Sequence, residues 1–353
     1  MKKHILIVFA IIALVGFKPN VSAQTGFNSV VEYCTGTWCQ WCPCSHAIIE
    51  GILQSYPNTV ILAYHGPSND PWTSTGLPMI QLFGFNAYPT GVVGRRTGII
   101  GNTGWNNKVV IQSNTVQPGV SIQVNNKVYN AGSRTITANI QMAALENLSG
   151  DYYVLMLLTE DNLVYSQTGN GSCPGSGNYV HYNVVRGLIN GSTGTLLSTT
   201  DTWTMGNSVT VPLNYVLPAG VLEANSKINI VVYKGGGVVH TDQLTQQAMK
   251  TSVIDPVGIH NQNELAESYS LTQNYPNPFN PTTNINFSIP KSQNVSLKFY
   301  NSMGQEVATY VDAFLEAGIY NVDFDGSNLS SGIYFYTLKT DNFVDTKKMM
   351  LVK

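Results

Sequence analysis

The side chains best suited to chemistry in this sequence are its five cysteines, Cys34, Cys39, Cys42, Cys44 and Cys173. Cys39 and Cys42 enclose Gln40 and Trp41, a spacing at which two sulfurs close into a small ring that can form and reopen. The pair lies between a buried-strand pattern, Ser29–Cys34, and a helix whose first turn carries Pro43. A thiolate is the attacking species, and the positive end of a helix dipole stabilises it. Cys39 is therefore expected to be the exposed nucleophile, and Cys42, more buried, the resolving thiol. Metal sites share this spacing. Cys34, Cys39 and Cys42 match the opening of an iron–sulfur pattern, and with Cys44 and His46 they could instead form a zinc or copper site. An exported chain would have to load such a metal after translocation, so the redox reading leads, and no metal or cofactor is assigned.

Five cysteines cannot all pair. Cys173 could bridge to Cys34 or Cys44 and lock two parts of the chain together. Alternatively Cys34 and Cys44 could form a local structural bond. His65, His181 and His240 read as isolated packed or exposed histidines. Gly235-Gly236-Gly237 reads as a turn between strands rather than a phosphate loop. No Gly-x-Ser-x-Gly nucleophile elbow is present.

The elements that must position the cysteines follow from periodicity. Pro43–Tyr56 carries Ile48, Ile49, Ile52 and Leu53 at helical spacing. Thr59–His65 is a second buried strand, Thr75–Phe83 a short helix, Thr90–Arg95 a strand that pairs with the stretch around Ile99, and Trp105–Gln112 a closing helix. The order β-α-β-α-β-β-α is that of a thioredoxin core. From Val120 the pattern turns to strands alone: Val120–Val124, Thr135–Met142, Tyr152–Thr159, Val209–Tyr215 and Ile228–Tyr233, with turn clusters such as Gly169–Ser172 between them. Strands at this spacing predict an antiparallel sandwich. Beyond lie Asn284–Ile289, Val295–Tyr300, Tyr320–Phe324 and Ile333–Leu338. No internal repeat is present.

Composition sets the class. Charged residues make up 11% of the chain and hydrophobic residues 43%, with a net charge of −2. The four arginines are Arg95, Arg96, Arg134 and Arg186. That is no footprint for a phosphate backbone, so nucleic acid is not an expected partner. At the start, Lys2, Lys3 and His4 precede an apolar run, Ile5–Phe17, and a small-x-small end at Val21-Ser22-Ala23. This is the pattern of a secretory signal peptide, with cleavage expected after Ala23. No Cys immediately follows that point, where Gln24 stands, which argues against an N-terminal lipid anchor. No later segment reads as a membrane helix. The mature chain is expected outside the cytoplasm, where disulfides persist.

Several of these motifs resemble known families. Glu32-Tyr33-Cys34-Thr35-Gly36-Thr37-Trp38-Cys39, with Tyr88-Pro89-Thr90-Gly91 and His181-Tyr-Asn-Val-Val-Arg186-Gly187, is similar to the outer membrane protein 28 family of exported thioredoxin-like proteins with an appended β domain. The resemblance covers roughly residues 28–250 and implies fold and compartment more than substrate. Thioredoxin-fold proteins place a cis-proline ahead of the strand facing the active-site helix. By that likeness Pro89 would hold a substrate backbone, with Trp38, Trp41, Tyr88 and Thr90 completing the surface that meets a thiol or disulfide protein or peptide. Two departures stand out. Gln40-Trp41 replaces the Gly-Pro of ordinary thioredoxins, and Tyr33 takes the place of their buried acid. Glu32 is then the candidate proton acceptor, although an ordinary strand-edge glutamate is the better reading.

Leu271–Pro281, Gly318-Ile-Tyr320, Ser331–Tyr336 and the Lys-rich last strand resemble the type IX secretion sorting domain, which implies recognition by the outer-membrane translocon. The expected architecture is multidomain α/β plus all-β: signal peptide 1–23, thioredoxin-like domain 24–116, antiparallel β-sandwich 117–250, linker 251–268 and small β-sandwich sorting domain 269–353. The expected function is thiol–disulfide exchange at the outer membrane or cell surface. The alternative is a non-catalytic binding or structural module.

Overall fold

The structure, a computed structural model, describes residues 26–353 except Ser68, 198–201, 255–258, 262–265, Ser292, Glu316 and Asn328. The expected signal peptide 1–23 and part of the expected linker, 255–258 and 262–265, lie outside the described residues.

The chain begins with β1 (Val30–Thr35), α1 (Pro43–Ser55), β2 (Val60–His65), α2 (Thr73–Phe83), β3 (Thr90–Val93), β4 (Ile100–Gly101) and α3 (Trp105–Thr115). Strands alone follow: β5 (Val120–Asn130), β6 (Thr135–Ala144), β7 (Leu148–Ser149), β8 (Tyr152–Glu160), β9 (Leu163–Gln167), β10 (Ser176–His181), β11 (Val184–Leu188), β12 (Thr195–Leu196), β13 (Thr202–Trp203), β14 (Ser208–Val216), β15 (Ser226–Lys234) and β16 (Thr245–Ser252). The remaining strands are β17 (Ile259–Asn261), β18 (Ser270–Leu271), β19 (Thr282–Ile289), β20 (Gln293–Asn301), β21 (Glu306–Leu315), β22 (Gly318–Asp325), β23 (Gly332–Thr340) and β24 (Val344–Leu351).

One expectation about architecture is overturned. The chain is mostly β, at 49% strand against 13% helix, and residues 24–116 do not form a thioredoxin-like α/β domain of their own. Their strands belong to a single mixed sheet running β16-β15-β8-β11-β2-β1-β3-β4. β1 and β2 pair in parallel, and the free side of β2 is taken by β11, with Val184 opposite Ala63. The reason lies in β8, whose YYVLMLLTE run is apolar on both faces. Such a strand is stable only when covered on both sides. Leu155 and Leu157 share a core with Val30, Leu62, Tyr64 and the α2 residues Met79, Ile80 and Phe83. Val154, Met156 and Leu158 point the other way, into the core built with the β14-β6-β5 sheet. The face of β1–β3 opposite α2 is closed by Ile49 and Ile52 of α1 and by Trp105 and Val109 of α3.

A buried ion pair locks this continuous sheet. Arg95 donates to Glu32 from Nε at 2.8 Å and Nη2 at 3.0 Å, and Tyr64 donates to the same carboxylate at 2.9 Å. The guanidinium lies 4.3 Å from the ring centroid of Tyr233 on β15 and 5.2 Å from that of Phe83 on α2. Residues from both halves of the large sheet thus enclose one charge pair.

The C-terminal strands form two sheets, β17-β22-β19-β18 and β21-β20-β23-β24, facing each other across a core that includes Phe279, Phe287, Phe299, Phe324 and Tyr336. Along β22 the residues alternate strictly between buried and less buried, as a sheet with one wet face requires.

Two outcomes follow from this architecture. Arg95→Met leaves the Glu32 carboxylate buried and unpaired and should cost about 3–5 kcal/mol in urea unfolding. A fragment spanning residues 26–116 lacks β11, β8 and β15, and its circular dichroism on heating should show no cooperative transition.

Candidate functional site

The site is built on the segment joining β1 to α1. β1 is buried along its whole length on both faces, and α1 begins at Pro43 with Cys42 as its N-cap residue. Between them the chain makes a tight turn, with Cys39 N–H donating to the Gly36 carbonyl at 3.0 Å and Cys42 N–H to the Cys39 carbonyl at 3.2 Å. Cys39 and Cys42 form a disulfide with Cα atoms 5.4 Å apart. Both residues are buried, while Trp38 and Trp41 beside them are 42% and 53% exposed. Trp38 leans on Tyr88 with ring centroids 5.1 Å apart, bringing the Tyr88–Thr90 segment to the disulfide turn. The Tyr88–Pro89 peptide is cis, and Thr90 opens β3 opposite Cys34.

The remaining cysteines separate. Cys44 is bonded to Cys173, with Cα atoms 5.0 Å apart. Cys34 is a buried free thiol whose Sγ lies 3.2 Å from the Ala87 carbonyl oxygen, and burial raises its pKa. Of the open alternatives for the extra cysteines, the structure has the Cys44–Cys173 bridge and not a Cys34–Cys44 bond. With four sulfurs in disulfides, the thiol sets considered for a metal are not assembled. Among the described residues no group of three or more His, Cys, Asp and Glu is arranged to hold a metal ion.

Glu32 is not brought to the disulfide. Alternation along β1 turns it to the face opposite Tyr33, and Tyr33 is the residue that packs in the core beneath α1. Its carboxylate is taken up by Arg95 and Tyr64.

Residues far along the chain reach the turn instead. The loop between β9 and β10 folds over it. Gln167 Nε2 donates to the Gly36 carbonyl at 3.2 Å and to the Cys39 carbonyl at 3.0 Å. Thr168 N–H donates to the Thr37 carbonyl at 2.7 Å, and Asn170 Nδ2 to the Gln40 carbonyl at 2.9 Å. The loop is too tight for side chains at its neck. A Cβ on Gly169 would lie 2.0 Å from the Gly175 nitrogen, and one on Gly175 2.1 Å from the Gln167 carbonyl oxygen.

A buried imidazole cluster flanks the turn. Asp70 accepts the Thr37 N–H at 2.8 Å through the same oxygen that lies 2.8 Å from His65 Nδ1. Burial alone would raise the Asp70 carboxyl. The bonds with His65 and with the Thr37 and Trp72 amides outweigh it and hold the pKa below the ordinary aspartate value. The His181 ring lies 5.5 Å from that of His65 and 6.1 Å from that of His46, and His46 Nδ1 is 2.8 Å from the Tyr179 hydroxyl. His181 Nε2 is buried without a hydrogen-bond partner. Burial, reinforced by the neighbouring imidazoles, lowers the His46 pKa to about 4 and that of His181 to about 3. His65 and His181, which read as isolated in the sequence, are therefore neighbours. Gln167, Asp70 and Arg95 carried no motif. The paired Gly169 and Gly175 around Cys173 were the available signal for a loop folded hard against something.

The family model described as Outer membrane protein Omp28 matches residues 78–253, and that of the secretion system C-terminal sorting domain matches 273–353. The chain belongs to the Omp28 family. No curated protein sequence matches it significantly. The solved structure of HBP35 of Porphyromonas gingivalis is similar over 94% of this chain and 99% of that one, at 15% identity and a TM-score of 0.54, a likeness of fold. A domain of the outer membrane lipoprotein Omp28 from the same organism aligns with 38% of this chain and 88% of that one, at 14% identity and a TM-score of 0.24. This Omp28-family protein is exported to the outer membrane or cell surface, and its C-terminal sorting domain is handled by the type IX secretion system. No helix among the described residues is long and apolar enough to cross a membrane.

The histidine cluster sets an acid limit on stability. His46 and His181 stay neutral in the folded chain down to about pH 4 and about pH 3, whereas in the unfolded chain each binds a proton near pH ~6.5. Below that value the unfolded state holds more protons, so stability falls as pH drops, by up to about 1.4 kcal/mol per pH unit for each group. Urea unfolding from pH 6.5 to 4.5, above the range where Asp70 contributes, should show this slope, and His181→Gln should halve it.

Proposed function

We propose that this exported protein exchanges thiols and disulfides through Cys39 and Cys42. The observation that carries the reading is the disulfide itself, closed across two residues at the first turn of α1 between two exposed tryptophans. A helix N-terminus lowers the free energy of a thiolate, which favours both departure and attack at that position. In the oxidising direction a substrate thiolate attacks Cys39 Sγ, the Cys39–Cys42 bond breaks, and Cys42 leaves as thiolate. A second substrate thiolate then attacks the substrate sulfur of the mixed disulfide and expels Cys39. The product is a substrate disulfide, with two electrons left on the Cys39–Cys42 dithiol. The reducing direction is the reverse. Trp38, Trp41, Tyr88, Pro89 and Thr90 form the surface that would receive a peptide, apolar and beside the bond to be broken.

One observation favours a second reading. Cys39 and Cys42 are 4% and 2% exposed and lie beneath the β9–β10 loop. A sulfur that no partner can reach is structural, and the chain would then be a non-catalytic surface module with Trp38 and Trp41 as its docking face.

The reduction potential of the Cys39–Cys42 pair separates the two. The full mature chain would be equilibrated in glutathione buffers, alkylated, and read by peptide mass spectrometry. Titration between about −270 and −120 mV, the span of known exchange catalysts, supports exchange. A pair that stays oxidised below about −300 mV, as structural bonds do, leaves the docking module standing.

A further inference from the structure

We propose that Gln167 is a positioning residue for the Cys39–Cys42 pair, its side-chain amide holding the turn that keeps the two sulfurs at bonding distance. The inference rests on the exchange reading and names the residue that tunes it. Gln167 is the last residue of β9, remote in sequence from Cys39 and Cys42, yet its buried Nε2 meets three carbonyl oxygens: Gly36 at 3.2 Å, Cys39 at 3.0 Å and Thr168 at 3.0 Å. The first two are the carbonyls that close the turn from within, accepting from Cys39 N–H and Cys42 N–H. One nitrogen therefore grips both ends of the 36–39 segment.

The loop that follows Gln167 is itself held at two points. Thr168 N–H bonds the Thr37 carbonyl at 2.7 Å, and the Cys44–Cys173 disulfide ties the far end of the same loop to α1. The clamp is thus anchored independently of the bond it serves. When the Cys39–Cys42 bond is reduced, a free turn would sample many backbone states, and re-fixing them to close the bond costs conformational entropy. A turn already gripped by Gln167 keeps Cys39 facing Cys42, which raises the effective concentration of one thiol at the other. The clamp therefore favours the disulfide and makes the pair more reducing than an unclamped one.

The test compares the mature wild-type chain with Gln167→Met, which keeps the length of the side chain and removes both donors. Each is equilibrated with dithiothreitol and its cyclic disulfide. Reduction of the protein disulfide to two thiols is balanced there by oxidation of one dithiothreitol, so the protein equilibrium is read directly. The equilibrium constant for closing Cys39–Cys42 should fall about tenfold, a potential about 30 mV more positive. Cys44–Cys173 in the same molecule should stay within about twofold of wild type. An unchanged Cys39–Cys42 equilibrium overturns the proposal, and so does an equal shift of both disulfides, which would mark general loosening of the loop. Should Gln167→Met not fold, Gln167→Asn withdraws the amide by one methylene and is held to the same outcomes. The comparison reads ring closure whatever the protein's substrate. A wild-type pair that titrates as a structural bond removes the exchange reading, while the difference between variant and wild type still decides the role of Gln167.

Discussion

Much of this fold rests on keeping one ion pair dry. Arg95 and Glu32 are almost fully buried, and the cost of stripping water from two charges is met only if every donor and acceptor finds a partner. Glu32 has Arg95 and Tyr64, and Arg95 adds Gln243 together with the faces of Phe83 and Tyr233. Those partners come from β1, β2, α2, β15 and the loop before β16. The pair is satisfied only when the helical part and the later strands are assembled together, which is why one sheet runs through both.

That shared sheet has a consequence for the cysteines. Because β11 lies beside β2, the β9–β10 hairpin just ahead of it is delivered to the end of the sheet where β1 turns into α1. The hairpin brings Gln167, Asn170 and Cys173 to the disulfide turn, and Tyr179 and His181 to the side of α1. The surroundings of Cys39 and Cys42 thus come from two separate parts of the chain. The exposed Trp38 and Trp41 and the half-buried Tyr88 against which Trp38 leans all come from the first part.

Local pattern was a good guide where interactions are local. The helix expected over Pro43–Tyr56 and the strand over Thr59–His65 lie within a residue of α1 and β2, because apolar spacing, Pro43 and β-branched residues all agree there. The same local evidence suggested a self-contained α/β domain, since element order says nothing about what pairs with the outer edge of β2. Glu32 could be read as a base for the thiols because spacing along a strand does not show which face a charge shares with a distant arginine. His65 and His181 looked solitary because they are separated by more than a hundred residues, with a hairpin bringing them together.

The sequence by itself determined that the chain carries a sorting domain, that it is rich in strands, and that two cysteines stand two residues apart before a helix. These properties reside in short contiguous stretches, so periodicity and spacing suffice to read them. Tertiary structure alone decided that one sheet joins the helical and all-β parts, that Cys173 pairs with Cys44 while Cys34 stays free, and that Gln167 grips the disulfide turn. Each of these is a contact between residues distant in sequence, selected by the need to cover both faces of β8 and to leave no buried charge unpaired. Such needs are met by the assembled molecule and by no segment of it.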